Sequence, residues 1–202
     1  MDIFILRHGE TDWNSKRLFQ GHTDIPLNKK GKSQAIRIAR ALKGRKIDII
    51  ISSDLKRAFQ TAQAVKTTLK CKGAIIKDKS FRERHYGSLE GKLYVPFQND
   101  KKGFDGEKDK QFFSRINRAF KKSIKTHKEK NIVIVAHGGV VRAIVAAIIQ
   151  PADYKKLRVY NASISEIYYD EKREAFFLVL FNSVAHLSKA DRLIVQTHIK
   201  GV

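Results

Sequence analysis

The sequence predicts an α/β fold, a three-layer sandwich whose mostly parallel central sheet is flanked by helices. Three observations carry this. Short apolar runs rich in β-branched residues recur at Ile3 to Leu6, Ile47 to Ile51 and Ile132 to Ala136, each too short for a helix and unbroken enough for a strand buried on both faces. Segments of helical periodicity separate them, and strands that alternate with helices join into parallel sheets covered on both sides. Polar residues able to do chemistry follow the strands directly, as Arg7-His8, Ser52-Ser53 and His137, and ligands of such folds bind at the carboxyl ends of the strands.

The elements follow in order. Ile3 to Leu6 ends abruptly in a cation and an imidazole. Residues 31 to 43 place Ala35, Ile38, Ala39 and Leu42 on one helical face before the Ile47 to Ile51 strand. Ser53 or Asp54 is positioned to cap a helix whose apolar face carries Leu55, Ala58, Phe59, Ala62 and Val65, and Ala74 to Ile76 offers a short third strand. Residues 82 to 106, with four glycines and Pro96, read as loops with room for one short helix. Phe112, Phe113, Ile116, Phe120 and Ile124 restore helical spacing, and the strand ending at Ala136 runs through Gly138 and Gly139 into a helix over Val140 to Ile149. Ile164 to Tyr169 and Phe176 to Phe181 flank charged turn residues, as in a hairpin or a pair of edge strands. No repeat divides the chain, so residues 1–202 are expected to form one domain, with a short lid-like excursion at about 88–110 and a basic tail at about 187–202.

Composition narrows the classes. Lys and Arg number 41 against 20 Asp and Glu, a net charge of +21 that attracts anions. The cations are spread along the chain, as a solvated surface is, and no helix-turn-helix, zinc or glycine-rich phosphate-loop pattern accompanies them, so no specific nucleic-acid partner is expected. Cys71 stands alone, which excludes an internal disulfide and a cysteine metal cluster and suits a reducing compartment. The apolar run before Arg7 is too short for a secretory leader or a membrane span, so the expectation is a cytoplasmic protein with no membrane partner.

The segment Arg7-His8-Gly9-Glu10-Thr11, followed by Asn14, resembles the signature of the histidine phosphatase superfamily, the phosphoglycerate mutase-like family. In the same order come Gln20-Gly21-His22-Thr23-Asp24 with Leu27, then Ser52 to Ala58 with Gln60-Thr61-Ala62. Arg82-Glu83 follows, with Tyr86-Gly87 and Glu90-Gly91, and last Ala136-His137-Gly138-Gly139. Taken singly each has an ordinary reading: a surface or core histidine, a surface ion pair, a solvated loop glutamate. Their joint order spans nearly the whole chain.

The resemblance implies a phosphoglycerate mutase-like fold and phosphoryl transfer with neither metal nor cofactor. Such transfer needs an in-line nucleophile, cationic donors to the phosphoryl oxygens and a proton for the departing alkoxide. His8 is the implied nucleophile, its second ring nitrogen held by an acceptor. Arg7 and Arg57 supply forked donors and keep His8 neutral, and His137 stabilises the phosphoryl group together with the Gly138 amide. Glu83 is the implied general acid, its pKa raised by burial and substrate unless Arg82 and Arg84 point inward. Asn14, Gln20, Gly21, Thr23 and Tyr86 resemble substrate-contacting positions, and Tyr94, Phe97 and Phe104 offer an acceptor-group lining. The cofactor-dependent mutases of the family carry a longer excursion over the substrate, and a small lid leaves a phosphohistidine open to water. The expected activity is therefore a phosphomonoesterase acting on a small phosphorylated metabolite through phospho-His8. Interconversion of 2- and 3-phosphoglycerate is the alternative, and a homodimer is the assembly left open.

Overall fold

The computed structural model describes residues 1–95, 103–151 and 154–192. A six-stranded sheet has the order β3-β2-β4-β1-β5-β6, built from β1 (Asp2–Arg7), β2 (Ile49–Ser52), β3 (Ile75–Lys77), β4 (Ile132–Ala136), β5 (Ile164–Asp170) and β6 (Ala175–Ser183). β1 to β4 run parallel, and β5 and β6 add an antiparallel hairpin beside β1.

Strand alternation sends successive side chains to opposite faces, and each face is closed by its own pair of helices. Ile3, Ile5, Ile132 and Ile134 pack with α4 (Asp109–Thr126) and α5 (Gly138–Ile149), while Phe4, Leu6, Val133 and Val135 pack with α2 (Lys29–Ala41) and α3 (Lys56–Leu69). All five residues of β4 are buried, as expected of a strand covered on both faces. A one-turn helix, α1 (Asp12–Ser15), follows β1.

Element boundaries move by one or two residues, each for a local reason. α2 begins at Lys29 because Asn28 caps it, its side chain accepting the Gly31 N–H at 2.8 Å. At α3 neither Ser53 nor Asp54 is the cap. Asp54 is occupied by the Arg82 fork at 2.7 and 2.6 Å, Leu55 takes the cap position, and Asp24 from another loop accepts the Lys56 N–H at 2.6 Å. Among the described residues of 82–106 there is one 3-10 turn, Gly87–Leu89, and another such turn, Lys79–Phe81, precedes it. The described part of the tail packs down: Leu187 is buried and Asp191 pairs with Lys30 at 3.1 Å. Residues 193–202 lie outside the described residues.

The register aligns the strand ends. Arg7 lies opposite Ala136 and Ser52 opposite Val135, so the residues that follow, His8, Ser53 and His137, leave the sheet side by side.

Candidate active site

His8 is 3% exposed and its ring stands 5.1 Å from that of His137, centroid to centroid. Its Nδ1 lies 2.7 Å from the Gly9 carbonyl oxygen, which accepts only, so Nδ1 carries the proton and Nε2 keeps its lone pair. Burial, then the charges of Arg57 and Arg7, hold the imidazole well below the ordinary histidine value. A neutral His8 whose Nε2 meets no hydrogen-bond partner among the described residues has the lone pair that a nucleophile needs near neutral pH.

Arg57 is fully buried on the first turn of α3. Its fork reaches the Thr23 and Gly21 carbonyl oxygens at 2.8 and 2.7 Å, and its Nε–H donates to His137 Nδ1 at 3.2 Å. His137 Nε2 then carries the proton toward Ser53 Oγ at 2.9 Å. Both His137 nitrogens are thus held by protein groups, one of them the guanidinium beside it. Arg7 donates through Nη1 to the Val159 carbonyl, and among the described residues its buried Nε–H meets no acceptor. Burial lowers both guanidinium pKa values to about 10, with Glu83 partly opposing it, so both remain cationic. A buried, unpartnered donor on one guanidinium beside a second, fully buried one fits an anion.

Glu83 completes the cluster from the loop after Lys79–Phe81. Its Oε2 accepts the Gly139 N–H at 3.0 Å and its Oε1 the Arg84 N–H at 2.9 Å. Arg82 and Arg84 point away from it, to Asp54 and to Asp109. The first turn of α5 receives these groups closely. A Cβ on Gly139 would fall 2.2 Å from Glu83 Oε1, and one on Gly138 would touch the Arg7 guanidinium at 3.4 Å.

The implied substrate-contacting residues line the same corner, and the Asn14, Gln20, Gly21 and Thr23 side-chain or carbonyl oxygens are engaged in the protein. Asn14 Oδ1 takes the Thr11 N–H at 3.1 Å, and Gln20 Oε1 takes the Thr11 hydroxyl at 3.0 Å. Gly21, at φ +52°, turns its carbonyl to Arg57, and a Cβ there would strike Glu90 at 2.0 Å. The Thr23 hydroxyl donates to Glu90 at 2.5 Å. The Tyr86 hydroxyl is pushed up by burial and by Glu83 nearby. Tyr94 is half exposed against Phe19, its ring centre 4.9 Å away, and Phe104 lies under Arg84 and Lys108, each 5.2 Å from its ring centre. Phe97 lies outside the described residues.

Two supporting groups carried no mark in the sequence reading as site residues. Asn161 donates through Nδ2 to Asn14 Oδ1 at 3.0 Å, and Glu90 accepts from the backbone of His22, Thr23 and Tyr86 at 2.9, 2.8 and 3.1 Å. Glu90 stood inside a recognised block. Asn161 had no such cue, because only the pairing of β5 with β1 brings it to His8.

A family model for the histidine phosphatase superfamily (branch 1) matches residues 3–183. The chain belongs to this superfamily. Among histidine phosphatase relatives, it is 36% identical over 181 residues to phosphoglycerate mutase-like protein 4 of Arabidopsis thaliana, covering 81% of this chain and 77% of that protein. It is 33% identical over 203 residues to a metal-independent phosphoserine phosphatase of the same plant, covering 93% and 83%. The solved structure of Bacillus stearothermophilus YhfR shares the histidine phosphatase fold seen here, with a TM-score of 0.82 at 27% identity over 93% of this chain and 99% of that one. Among the described residues no helix is long and apolar enough to cross a membrane.

Proposed function

We propose that this histidine phosphatase is a phosphomonoesterase that moves the phosphoryl group of a small phosphorylated metabolite first to His8 and then to water, with no metal. The observation that carries the reading is the His8 Nδ1–H held by Gly9 O beside the orphaned Arg7 Nε–H, a free imidazole lone pair next to an unspent phosphate donor.

In the first step His8 Nε2 attacks phosphorus, the P–O bond to the leaving group breaks, and Glu83 gives its proton to the departing oxygen. Arg7, Arg57 and the N-terminal amides of α5 draw charge from the equatorial oxygens, the role a metal ion fills elsewhere. In the second step Glu83, now a carboxylate, takes a proton from water as that water attacks phosphorus. The P–N bond breaks, and phosphate leaves with His8 neutral. Phosphatase relatives support the chemistry. The short stretch between Gly87–Leu89 and α4 supports hydrolysis over transfer, since little chain is available to exclude water.

A panel of phosphorylated metabolites, phosphoserine and 3-phosphoglycerate among them, assayed with chelator present, tests the reading. Release of inorganic phosphate undiminished by chelator is expected. Conversion of 3-phosphoglycerate to its 2-phospho isomer without release would establish transfer in its place, and loss of activity to chelator would remove the metal-free claim.

A further inference from the structure

Glu83 must sit within hydrogen-bond reach of the leaving oxygen, yet it lies in neither helix nor strand. Among the described residues no backbone to backbone hydrogen bond anchors it. A group on a loop keeps a productive geometry only if other residues lock its main chain. One side chain from α4 bonds to three carbonyls of this segment. Arg115 donates through Nη1 to the carbonyl oxygens of Ser80 and Arg82 at 2.8 and 3.0 Å, and through Nη2 to that of Glu83 at 3.3 Å. Its own fork is aimed by Glu107, which accepts from Nε at 2.8 Å and Nη2 at 2.6 Å. The Glu83 carbonyl also receives His22 Nε2–H at 3.0 Å, so two donors converge on one peptide.

We propose that Arg115 is a positioning residue for the general acid, its planar fork spanning the carbonyls on both sides of Glu83 and so setting the distance between that carboxyl and His8. The inference rests on the assignment of Glu83 as the acid. A lysine at 115 is a point donor and cannot span three carbonyls at once. Arg115 touches no reacting atom in this arrangement. It lines an open groove of about 740 Å³, with His85, Asp105, Lys110, Ser114 and Arg118, so a small cation in solution can reach its place.

The test compares Arg115→Ala, Arg115→Lys and Glu83→Gln in the full chain on an activated ester, p-nitrophenyl phosphate, and an alkyl ester, phosphoserine or another accepted by the enzyme. If Arg115 positions the acid, Arg115→Ala lowers kcat/KM, which reads only the steps up to leaving-group departure, roughly 10- to 100-fold for the alkyl ester and less than about threefold for the activated ester. Guanidinium ion added to Arg115→Ala restores part of the alkyl-ester rate, and Arg115→Lys falls between wild type and Arg115→Ala. Equal loss on both esters, or no loss, overturns the proposal. A steep leaving-group dependence in Glu83→Gln with a flat one in Arg115→Ala overturns only the role of Arg115. A flat dependence in Glu83→Gln overturns the acid assignment and this inference with it. If Arg115→Ala does not fold, Glu107→Gln, which releases one side of the fork, must show a smaller steepening in the same direction, and a flat result there is equally fatal.

Discussion

His8 and His137 stand in opposite tautomers 5.1 Å apart, the first donating from Nδ1 to the Gly9 carbonyl and the second accepting at Nδ1 from Arg57. Two buried imidazoles beside two guanidinium groups are tolerable only if both are neutral, and a neutral ring offers one donor and one acceptor. The neighbours choose which. A carbonyl at Nδ1 leaves the lone pair of His8 on Nε2, whereas a guanidinium at Nδ1 makes His137 an acceptor that braces Arg57. The same residue type thereby receives two jobs from two hydrogen bonds.

Replacing His8 by Ala is expected to abolish both turnover and the covalent phosphoenzyme, since both ring nitrogens of the neighbouring His137 are bonded to protein groups. Rapid-quench trapping on a slow substrate, followed by intact-protein mass spectrometry, reads the intermediate directly. Persistence of a phosphorylated protein in the variant would place the nucleophile elsewhere.

Gly139→Ala separates stability from chemistry. Alanine is the better helix former, by at most about 0.8 to 1 kcal/mol, and its Cβ would displace the far end of the Glu83 side chain and press the Phe112 ring at 3.2 Å. The melting temperature should therefore change little. With the carboxylate displaced and its Gly139 N–H bond lost, kcat for alkyl phosphates should fall at least about tenfold. Wild-type kcat in the variant would show that Glu83 does not need its present place.

Glu90→Ala should act on the phosphate donors from a distance. Glu90 holds the N–H groups of His22 and Thr23 and the Thr23 hydroxyl, and this loop presents the Gly21 and Thr23 carbonyls to Arg57. Leaving these donors unpaired costs about 2 to 4 kcal/mol of stability. Inhibition by inorganic phosphate should weaken in parallel, measured as a rise in its inhibition constant. Unchanged phosphate affinity alongside lowered stability would show that Arg57 does not depend on the loop.

Stability of the free protein should fall with acid in a window set by the histidines. His8 and His137 titrate well below 6.5 in the folded chain, through burial first and the Arg57 charge second, whereas the unfolded chain takes up these protons near 6.5. Below that pH the unfolded state holds more protons than the native one. Each histidine then removes about 1.4 kcal/mol per pH unit until its folded value is reached. Denaturant midpoints between about pH 7.5 and pH 5 measure the loss, and His8→Ala should show a shallower slope by about one proton. A midpoint flat over this range would mean that the rings are not held neutral.

The sequence by itself determined the alternation of strands and helices, the two-sided burial of β4 and the family, and its motif blocks picked out Arg7, His8, Arg57, Glu83 and His137 as candidates. These follow from apolar periodicity and from motif blocks, which are local properties of the chain. Tertiary structure alone decided which nitrogen of each histidine carries a proton, that Arg7 Nε–H has no partner among the described residues, that Asp54 is paired and not a cap, and that Asn161 bonds to Asn14 and Arg115 to the Glu83 main chain. Each of these is a hydrogen bond between groups far apart in sequence. Its partner is set by strand register and helix packing, and neither is encoded within any single segment.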